Sequence, residues 1–436
     1  MSQPTSGAPA ATRGRRDAAV LAAGSTVAGI LAYVFFALVI RALGAGPAAP
    51  VAVLWAWWGF AGAALTFPVQ HWIARTAATA AGEASVRRGL PPVATAVVGV
   101  SALAGVLSWL ARERLFGPEG GWFPILVLLV GVGSGLLGLL RGLQSARGRF
   151  GAVAAGLVVE NGIRCLAAVV LVLAGSHTPV FYGLALVAGY AVAALWPRAL
   201  SPRADGHGRG VGPMLFVSGA STGQLMAQVT LTGGPVLLAA IGGAPATVTA
   251  LFAGLALFRA PYTLALGLVA ALTGRLTSLV ERRRWSTLTR IRRIGGLTTL
   301  VAAAAGGVAG AWLGPPAMEL VFGQGVRLAP GDAALVAVGT VVAMANLVLT
   351  LGLLARNRSG AVVAAWLIAA PFGAAAHMLV SQDPLSSTCW TFLVVEAVAF
   401  VVLVAWESRS DRLVGRQEHR GAEGQVTTGE EPGLGS

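Results

Sequence analysis

The chain has 436 residues, of which 56% are hydrophobic and only 11% are charged. A soluble protein of this length needs about 25% charged residues to cover its surface, so the composition excludes an ordinary soluble protein and indicates that lipid surrounds most of the chain. The formal net charge is +14, and every one of the 31 basic residues is arginine. Such a charge suggests a nucleic-acid partner, but the positions of the arginines, described below, exclude it.

Apolar segments of about 20 residues, the length that a helix needs to cross roughly 30 Å of hydrocarbon, recur along the chain. They predict an all-α polytopic membrane protein with about twelve transmembrane helices. The two ends of the chain are polar and predict disorder. The predicted spans are 18–40, 51–73, 91–109, 122–140, 152–174, 178–196, 213–240, 247–274, 294–313, 331–354, 360–380 and 386–406.

The arginines predict the orientation of these spans. With a cytoplasmic N-terminus, the cytoplasmic segments hold 25 arginines and the external loops hold only four, namely Arg41, Arg112, Arg114 and Arg327. Positive charge is retained in the cytoplasm, so we predict a multi-pass protein of the cytoplasmic membrane with both termini inside. The cytoplasmic arginines are then topology signals and contacts for anionic membrane lipids, which explains the basic composition without nucleic acid.

An internal repeat divides the chain into two halves. A shift of 198 residues places Ala42, Gly44, Pro47, Ala48, Ala52 and Phe60 on Ala240, Gly242, Pro245, Ala246, Ala250 and Phe258. The two copies lie six helices apart and have the same orientation, which is typical of transporters with two bundles of six helices. The predicted organisation is a disordered cytoplasmic tail over 1–17, a six-helix lobe over 18–196, a cytoplasmic linker over 197–212, a second six-helix lobe over 213–406 and a disordered cytoplasmic tail over 407–436.

Four ionisable residues fall inside predicted helices, where each needs a reason because a charge there is costly. Arg259 lies near the middle of the eighth span, where it would bind an anionic group such as a phosphate or, alternatively, be satisfied by backbone carbonyls. Glu160 and Arg164 are one turn apart in the fifth span and either line a cavity or neutralise each other. Glu396 in the twelfth span is a candidate for ion coupling or a structural acceptor of hydrogen bonds.

Gln224 and Gln228 form a polar stripe on the seventh span, and they predict either cavity lining or hydrogen bonds between helices. The sequence contains no HExxH, Walker or CxxC motif, and no spacing typical of metal ligands. We therefore predict a protein that is not an enzyme and that uses neither a cofactor nor a metal ion.

Three segments resemble a known family. Residues Gly233–Val280 are similar to the seventh and eighth helices of polysaccharide flippases, which belong to the multidrug/oligosaccharidyl-lipid/polysaccharide exporter superfamily. Residues Leu139–Gly175 resemble the connection between their fourth and fifth helices, and Gly314–Leu328 resembles their turn between the ninth and tenth helices. Together with the hydrophobic pattern, the resemblance extends over most of residues 18–406.

The resemblance implies two lobes around a cationic cavity, and transport of a polyprenyl-linked oligosaccharide by alternating access, with polysaccharide-assembly proteins as further partners. Arg259 occupies the helix whose arginine lines the cavity in the related lipid II flippases. The chain departs from those relatives because its first helix offers only Ser25, Thr26 and Tyr33 in place of a charge. A multidrug exporter on the same fold and a non-transporting membrane scaffold remain the alternatives.

Overall fold

The computed structural model describes residues 8–79, 82–118, 120–203, 213–266, 279, 282, 284–356, 358–380 and 383–426. The secondary structure in these residues is helical throughout, without a strand. Nine of the described helices are long and apolar enough to cross a membrane, and Pro179–Leu195 is a shorter apolar helix. The all-α polytopic fold is therefore confirmed.

Twelve long helices, labelled α1 to α12, follow one another in the described ranges, and a five-residue helix, Arg112–Phe116, lies between α3 and α4. Two of them contain irregular turns, because α2 includes a π turn at Gly62–Thr66 and α6 ends in the 3-10 segment Gly189–Leu195. The bounds are α1 Ala8–Leu43, α2 Ala49–Ala77, α3 Gly82–Leu110, α4 Phe123–Ala146, α5 Phe150–Leu173, α6 Pro179–Leu195, α7 Pro213–Thr232 with its continuation Gly234–Ala240, α8 Pro245–Leu266, α9 Trp285–Phe322, α10 Pro330–Ala355, α11 Ser359–Leu379 and α12 Pro384–Val426.

Every even-numbered helix has a proline close to its first residue. Each of them has proline in its first turn. The fixed φ of proline suits a helix there, and the backbone N–H that proline lacks would have no intrahelical partner at that position. These helices all begin at the same face of the bundle, which we call the arginine-poor face because the loops there carry few arginines; the opposite face is the arginine-rich face. The prolines are Pro50, Pro124, Pro179, Pro245, Pro330 and Pro384.

The fold consists of two lobes, α1–α6 and α7–α12, in which equivalent helices pack together. In the first lobe α1 packs on α5, α3 on α4, α2 on α4, α4 on α6 and α5 on α6. In the second lobe the equivalent pairs are α7 with α11, α9 with α10, α8 with α10, α10 with α12 and α11 with α12. The same set of contacts in both halves is what a 6+6 repeat requires.

Two turns repeat in detail. Gly44 and Gly242, which the shift of 198 residues superimposes, have φ angles of +81° and +87°, a conformation that favours glycine because it has no Cβ. At the arginine-rich face, the backbone N–H of Arg149 donates to the carbonyl of Gln144 and that of Arg358 donates to Leu353, both at 2.9 Å. Each bond closes the turn between the fourth and fifth helices of its lobe.

Several helices extend beyond the predicted apolar spans. α3 begins at Gly82, so Pro91 and Pro92 lie inside the helix. α9 covers Trp285–Phe322, whereas the predicted span covered only 294–313. A hydropathy window stops at arginine and proline, whereas a helix that leaves the membrane needs only its backbone hydrogen bonds. For the same reason α1 begins at Ala8 and α12 ends at Val426, outside the predicted apolar spans.

Parts of the predicted organisation lie outside the described residues. These parts are residues 1–7 of the first tail, 204–212 of the linker, 267–274 of the eighth span and 427–436 of the second tail. The described beginning of the linker forms a short 3-10 turn, Pro197–Leu200.

Candidate functional site

The first lobe contains a buried group of three charges, Arg141, Glu160 and Arg164, which we call the N-lobe charge cluster. Nη2 of Arg164 donates to Oε1 of Glu160 at 2.6 Å, and Nη2 of Arg141 donates to Oε2 of the same carboxylate. The side chains of Arg164 and Glu160 are 0% and 1% exposed. One carboxylate therefore neutralises one of two guanidinium charges and bridges α4 to α5.

Arg164 is held by further partners on every side. Its Nε donates to the carbonyl of Leu186 at 2.9 Å and its Nη1 donates to Oδ1 of Asn161 at 3.1 Å. The guanidinium carbon lies 4.9 Å from the ring centre of Trp58 and 5.6 Å from that of Tyr190. A guanidinium over aromatic faces gains from their electron density, so α2, α5 and α6 are joined through this one side chain.

The predicted ion pair between Glu160 and Arg164 is thus present, and in this conformation both side chains are closed off from solvent. The geometry favours a structural role for the pair over cavity lining. The sequence did not single out Arg141, because it lies close to the end of α4 and was assigned to the cytoplasmic arginines. Its distance of nineteen residues from Glu160 has no periodicity that could have revealed the contact.

The second lobe holds a different group at mid-depth, namely Arg259, Tyr262, Asn346 and Glu396, which we call the C-lobe polar cluster. Nδ2 of Asn346 donates to Oε2 of Glu396 at 2.7 Å and to its backbone carbonyl at 2.9 Å. Glu396 is 1% exposed, and Oδ1 of Asn346 is buried without a hydrogen-bond partner among the described residues. The carboxylate of Glu396 thus faces an amide, and it forms no salt bridge with another residue that the structure describes.

Arg259 is half-buried on α8, about 21 Å along the helix from Pro245. Its Nε is buried and has no hydrogen-bond partner in the described part of the chain. Tyr262 follows Arg259 by three residues on α8, so the two side chains lie on the same side of the helix. A buried donor without a partner is costly, and an anionic ligand would remove that cost.

The glutamine stripe lies on α7, which packs against α2 of the other lobe. Gln228 is half-buried, its amide donates to Oγ1 of Thr232 at 3.1 Å, and a Cβ added at Gly59 of α2 would lie 2.9 Å from that amide. Gln224, one turn earlier, is exposed. Gln228 therefore lies where the two lobes meet, and Gln224 is exposed one turn before it.

The lobes also meet near the arginine-poor face, in a contact that we call the apolar seal. Phe36 of α1 lies 4.0 Å from Phe252 of α8 between ring centres, and Trp55 of α2 lies 6.3 Å from the same ring. Nearer the surface, Nε of Arg41 donates to the carbonyl of Val321 at 2.9 Å, and its Nη2 donates to the carbonyl of Leu320. Arg41 thus joins the end of α1 to the last turn of α9.

Arginine at this position is electrostatically favourable, because the last carbonyls of a helix have no intrahelical partner and carry partial negative charge. The seal and Arg41 together close the arginine-poor side of the contact between the lobes. No group of three or more histidine, cysteine, aspartate or glutamate side chains in the described residues could hold a metal ion.

No model of a protein family matches the chain, and no curated protein matches it in sequence. Solved structures match it throughout. An inward-facing multidrug resistance MATE family transporter of the MOP superfamily is 13% identical, with a TM-score of 0.66 over 89% of this chain and 96% of that one. A MOP superfamily transporter from Pyrococcus furiosus, described as having a binding pocket of reversed polarity, is 15% identical, with a TM-score of 0.57 over 91% and 95%.

An outward-facing MATE family transporter of the same superfamily matches less well, with 13% identity and a TM-score of 0.50 over 91% of this chain and 96% of that one. The chain has the two-lobed, twelve-helix fold of the transporters of the MOP superfamily.

Proposed function

We propose that the protein is a secondary transporter of the cytoplasmic membrane that moves a polyprenyl-linked oligosaccharide from the inner to the outer leaflet by alternating access. The observation that carries transport is the apolar seal, which closes one face of a chain whose fold is that of MOP superfamily transporters. With the arginine-rich face and both termini in the cytoplasm, the sealed face is external. An inward-facing shape is then expected, and the higher TM-score to an inward-facing structure supports this orientation.

The substrate class is proposed from Arg259. Its buried Nε has no hydrogen-bond partner among the described residues, and the planar donors of arginine suit the oxygens of a phosphate. A polyprenyl carrier presents phosphate at the point where lipid joins sugar. The amides of Gln224 and Gln228, on the α7 side of the contact between the lobes, would donate to sugar hydroxyls. The N-lobe charge cluster with Arg164 and Glu160 would stabilise the opposite wall.

Glu396 is the proposed coupling group. The carboxylate of Glu396 is buried beside Asn346 and forms no salt bridge with a described residue. It can therefore bind a proton or another cation, and that binding would change the charge near Arg259. Anionic lipids and polysaccharide-assembly proteins are the proposed partners.

A multidrug exporter is the second candidate, and the observation that favours it is the likeness to structures described as multidrug MATE transporters. The two candidates differ in the charge that they require of the substrate. A half-buried Arg259 attracts an anionic headgroup and repels a cationic drug.

Deletion of the protein from its host should separate these candidates. For a flippase we expect one polyprenyl-linked oligosaccharide to accumulate, protected from reagents outside spheroplasts, when the lipid-linked sugars are measured by mass spectrometry. An unchanged pool of lipid-linked sugars, together with new sensitivity to cationic dyes, would establish the multidrug exporter. An unchanged pool without dye sensitivity would favour a non-transporting scaffold.

The contact of Arg41 with α9 gives a prediction about the seal. Arg41→Gln should release the carbonyls of Leu320 and Val321 and shift the population towards an open external face by roughly fivefold, which corresponds to about 1 kcal/mol. The measurement is the rate at which a membrane-impermeant maleimide labels Ala253→Cys, a buried position on α8, in a chain from which the native cysteines have been removed.

The matched control for this experiment is Arg112→Gln. Arg112 has the same charge and lies at the same face, but its contacts are local, with the carbonyl and ring of Trp109 and the carboxylate of Glu113. Equal labelling rates in the two variants would mean that Arg41 has no part in closing the face.

A further inference from the structure

Helix α9 lies at the periphery of the bundle. Only 6% of its most apolar stretch is buried, so most of its surface faces lipid. Trp312, 80% exposed, follows Arg290 by 22 residues, which is about 33 Å of helix and close to the thickness of the hydrocarbon region. Tryptophan and arginine prefer the membrane interfaces, so these two residues mark where α9 enters and leaves the membrane.

The arginine-rich end of α9 carries a cavity lined by Thr289, Arg290, Arg293 and Ile294, which we call the α9 groove. Both guanidiniums are exposed, and neither forms a salt bridge with a described residue. Residues three apart on a helix lie on the same side, so the two charges converge on one space.

An apolar track leads from the α9 groove into the membrane. At about 100° per residue, Ile294, Leu297, Val301 and Val308 lie within about 40° of the direction of Arg290. Their exposed fractions are 55% for Ile294, 66% for Leu297, 62% for Val301 and 61% for Val308. The track therefore continues for about 20 Å directly below the two guanidiniums.

Two consecutive glycines, Gly295 and Gly296, follow the groove. A Cβ added at either glycine would meet nothing within 4 Å, so no packing contact requires their small size. Glycine inside a helix is less favourable than alanine. Their effect on the surface is to leave space beside Arg293, where a bulky molecule can approach the helix.

We propose that the α9 groove binds the headgroup of an anionic phospholipid of the adjacent leaflet. The two guanidiniums would together hold the phosphate, and the acyl chains would lie on the track of Ile294, Leu297 and Val301. A cationic pair above a continuous apolar surface matches the charge and shape of such a lipid.

The test is native mass spectrometry of the full chain released from nanodiscs that contain phosphatidylglycerol and phosphatidylcholine with identical acyl chains. Wild-type protein should retain phosphatidylglycerol preferentially. A basic residue near an anionic surface contributes about a fivefold gain in affinity, so Arg290→Gln with Arg293→Gln should weaken retention by roughly 25-fold. The control is Arg87→Gln with Arg88→Gln, an equal loss of charge from exposed arginines of α3 at the same face.

A second variant, Gly296→Leu, keeps every charge and narrows the space beside Arg293, and should reduce retention severalfold. Equal loss in the α3 control would mean that net charge alone attracts the lipid, and would overturn the proposal. Normal retention of phosphatidylglycerol in the α9 double variant would also overturn the proposal. The same conclusion would hold if that variant lost binding only to a polyprenyl pyrophosphate. Variants are compared after gel filtration shows the same folded peak.

Discussion

Glu160→Gln should destabilise the protein by about 3–5 kcal/mol, the usual cost when one partner of a buried ion pair is removed. The carboxylate of Glu160 accepts from both Arg141 and Arg164, and glutamine would place an uncharged amide between two guanidiniums. Arg164, with 0% exposure, has no route to water. The measurement is the melting temperature of the purified protein in detergent, which should fall by several degrees.

The control for this change removes both charges of the pair. Glu160→Gln combined with Arg164→Met leaves no buried guanidinium without its carboxylate, because Arg141 retains partial exposure of 13%. The double variant should therefore melt at a higher temperature than Glu160→Gln alone, since an apolar replacement of a buried ion pair is often close to neutral. If Glu160→Gln melts like wild type, the N-lobe charge cluster does not hold α4 and α5 together.

The fold was largely predictable because the membrane limits the choices of the chain. Apolar segments of about 20 residues must be helices in lipid, and a shift of 198 residues was enough to match Gly44 with Gly242. The bounds were less predictable, since α3 continues through Pro91 and Pro92 and α9 continues past Arg293. Hydropathy reports where a helix contacts lipid, and it does not report where the helix ends.

The candidate site was predictable only where its residues share a helix. Spacing of one turn was sufficient to pair Glu160 with Arg164, and the structure contains that ion pair. The contacts of Arg141 with Glu160 and of Asn346 with Glu396 join different helices. Such pairs depend on the rotation of each helix about its axis, which packing decides and which hydropathy alone does not fix.

The apolar seal gives a further example. Phe36, Trp55 and Phe252 are three aromatic residues among many in apolar spans, and nothing in their spacing separates them from lipid-facing residues. Their contact depends on how the two lobes lean towards each other, which is a property of the conformation. In an outward-facing state the same rings would separate, so the contact belongs to one stage of the proposed transport cycle.

Arg259→Ala should abolish most of the transport of a lipid-linked oligosaccharide. Removal of one partner of a close charge pair costs about 2–5 kcal/mol, so we expect the transport rate to fall by about 100-fold at a substrate concentration below saturation. Arg259→Lys keeps the charge but not the planar pair of donors and should recover part of the rate. The measurement is the appearance of substrate in the outer leaflet of proteoliposomes made with purified protein.

Arg327→Ala is the matched control, because Arg327 is exposed at the arginine-poor face and its contact with Glu319 is long, at 3.7 Å. It should transport at the wild-type rate. The sign of the Arg259→Ala effect also separates the two candidate functions. An anionic lipid loses its partner when the guanidinium is removed, whereas a cationic drug loses a repulsive charge. Unchanged or faster export of a cationic dye by Arg259→Ala, without loss of lipid transport, would therefore contradict the proposed role of Arg259 and favour the multidrug exporter.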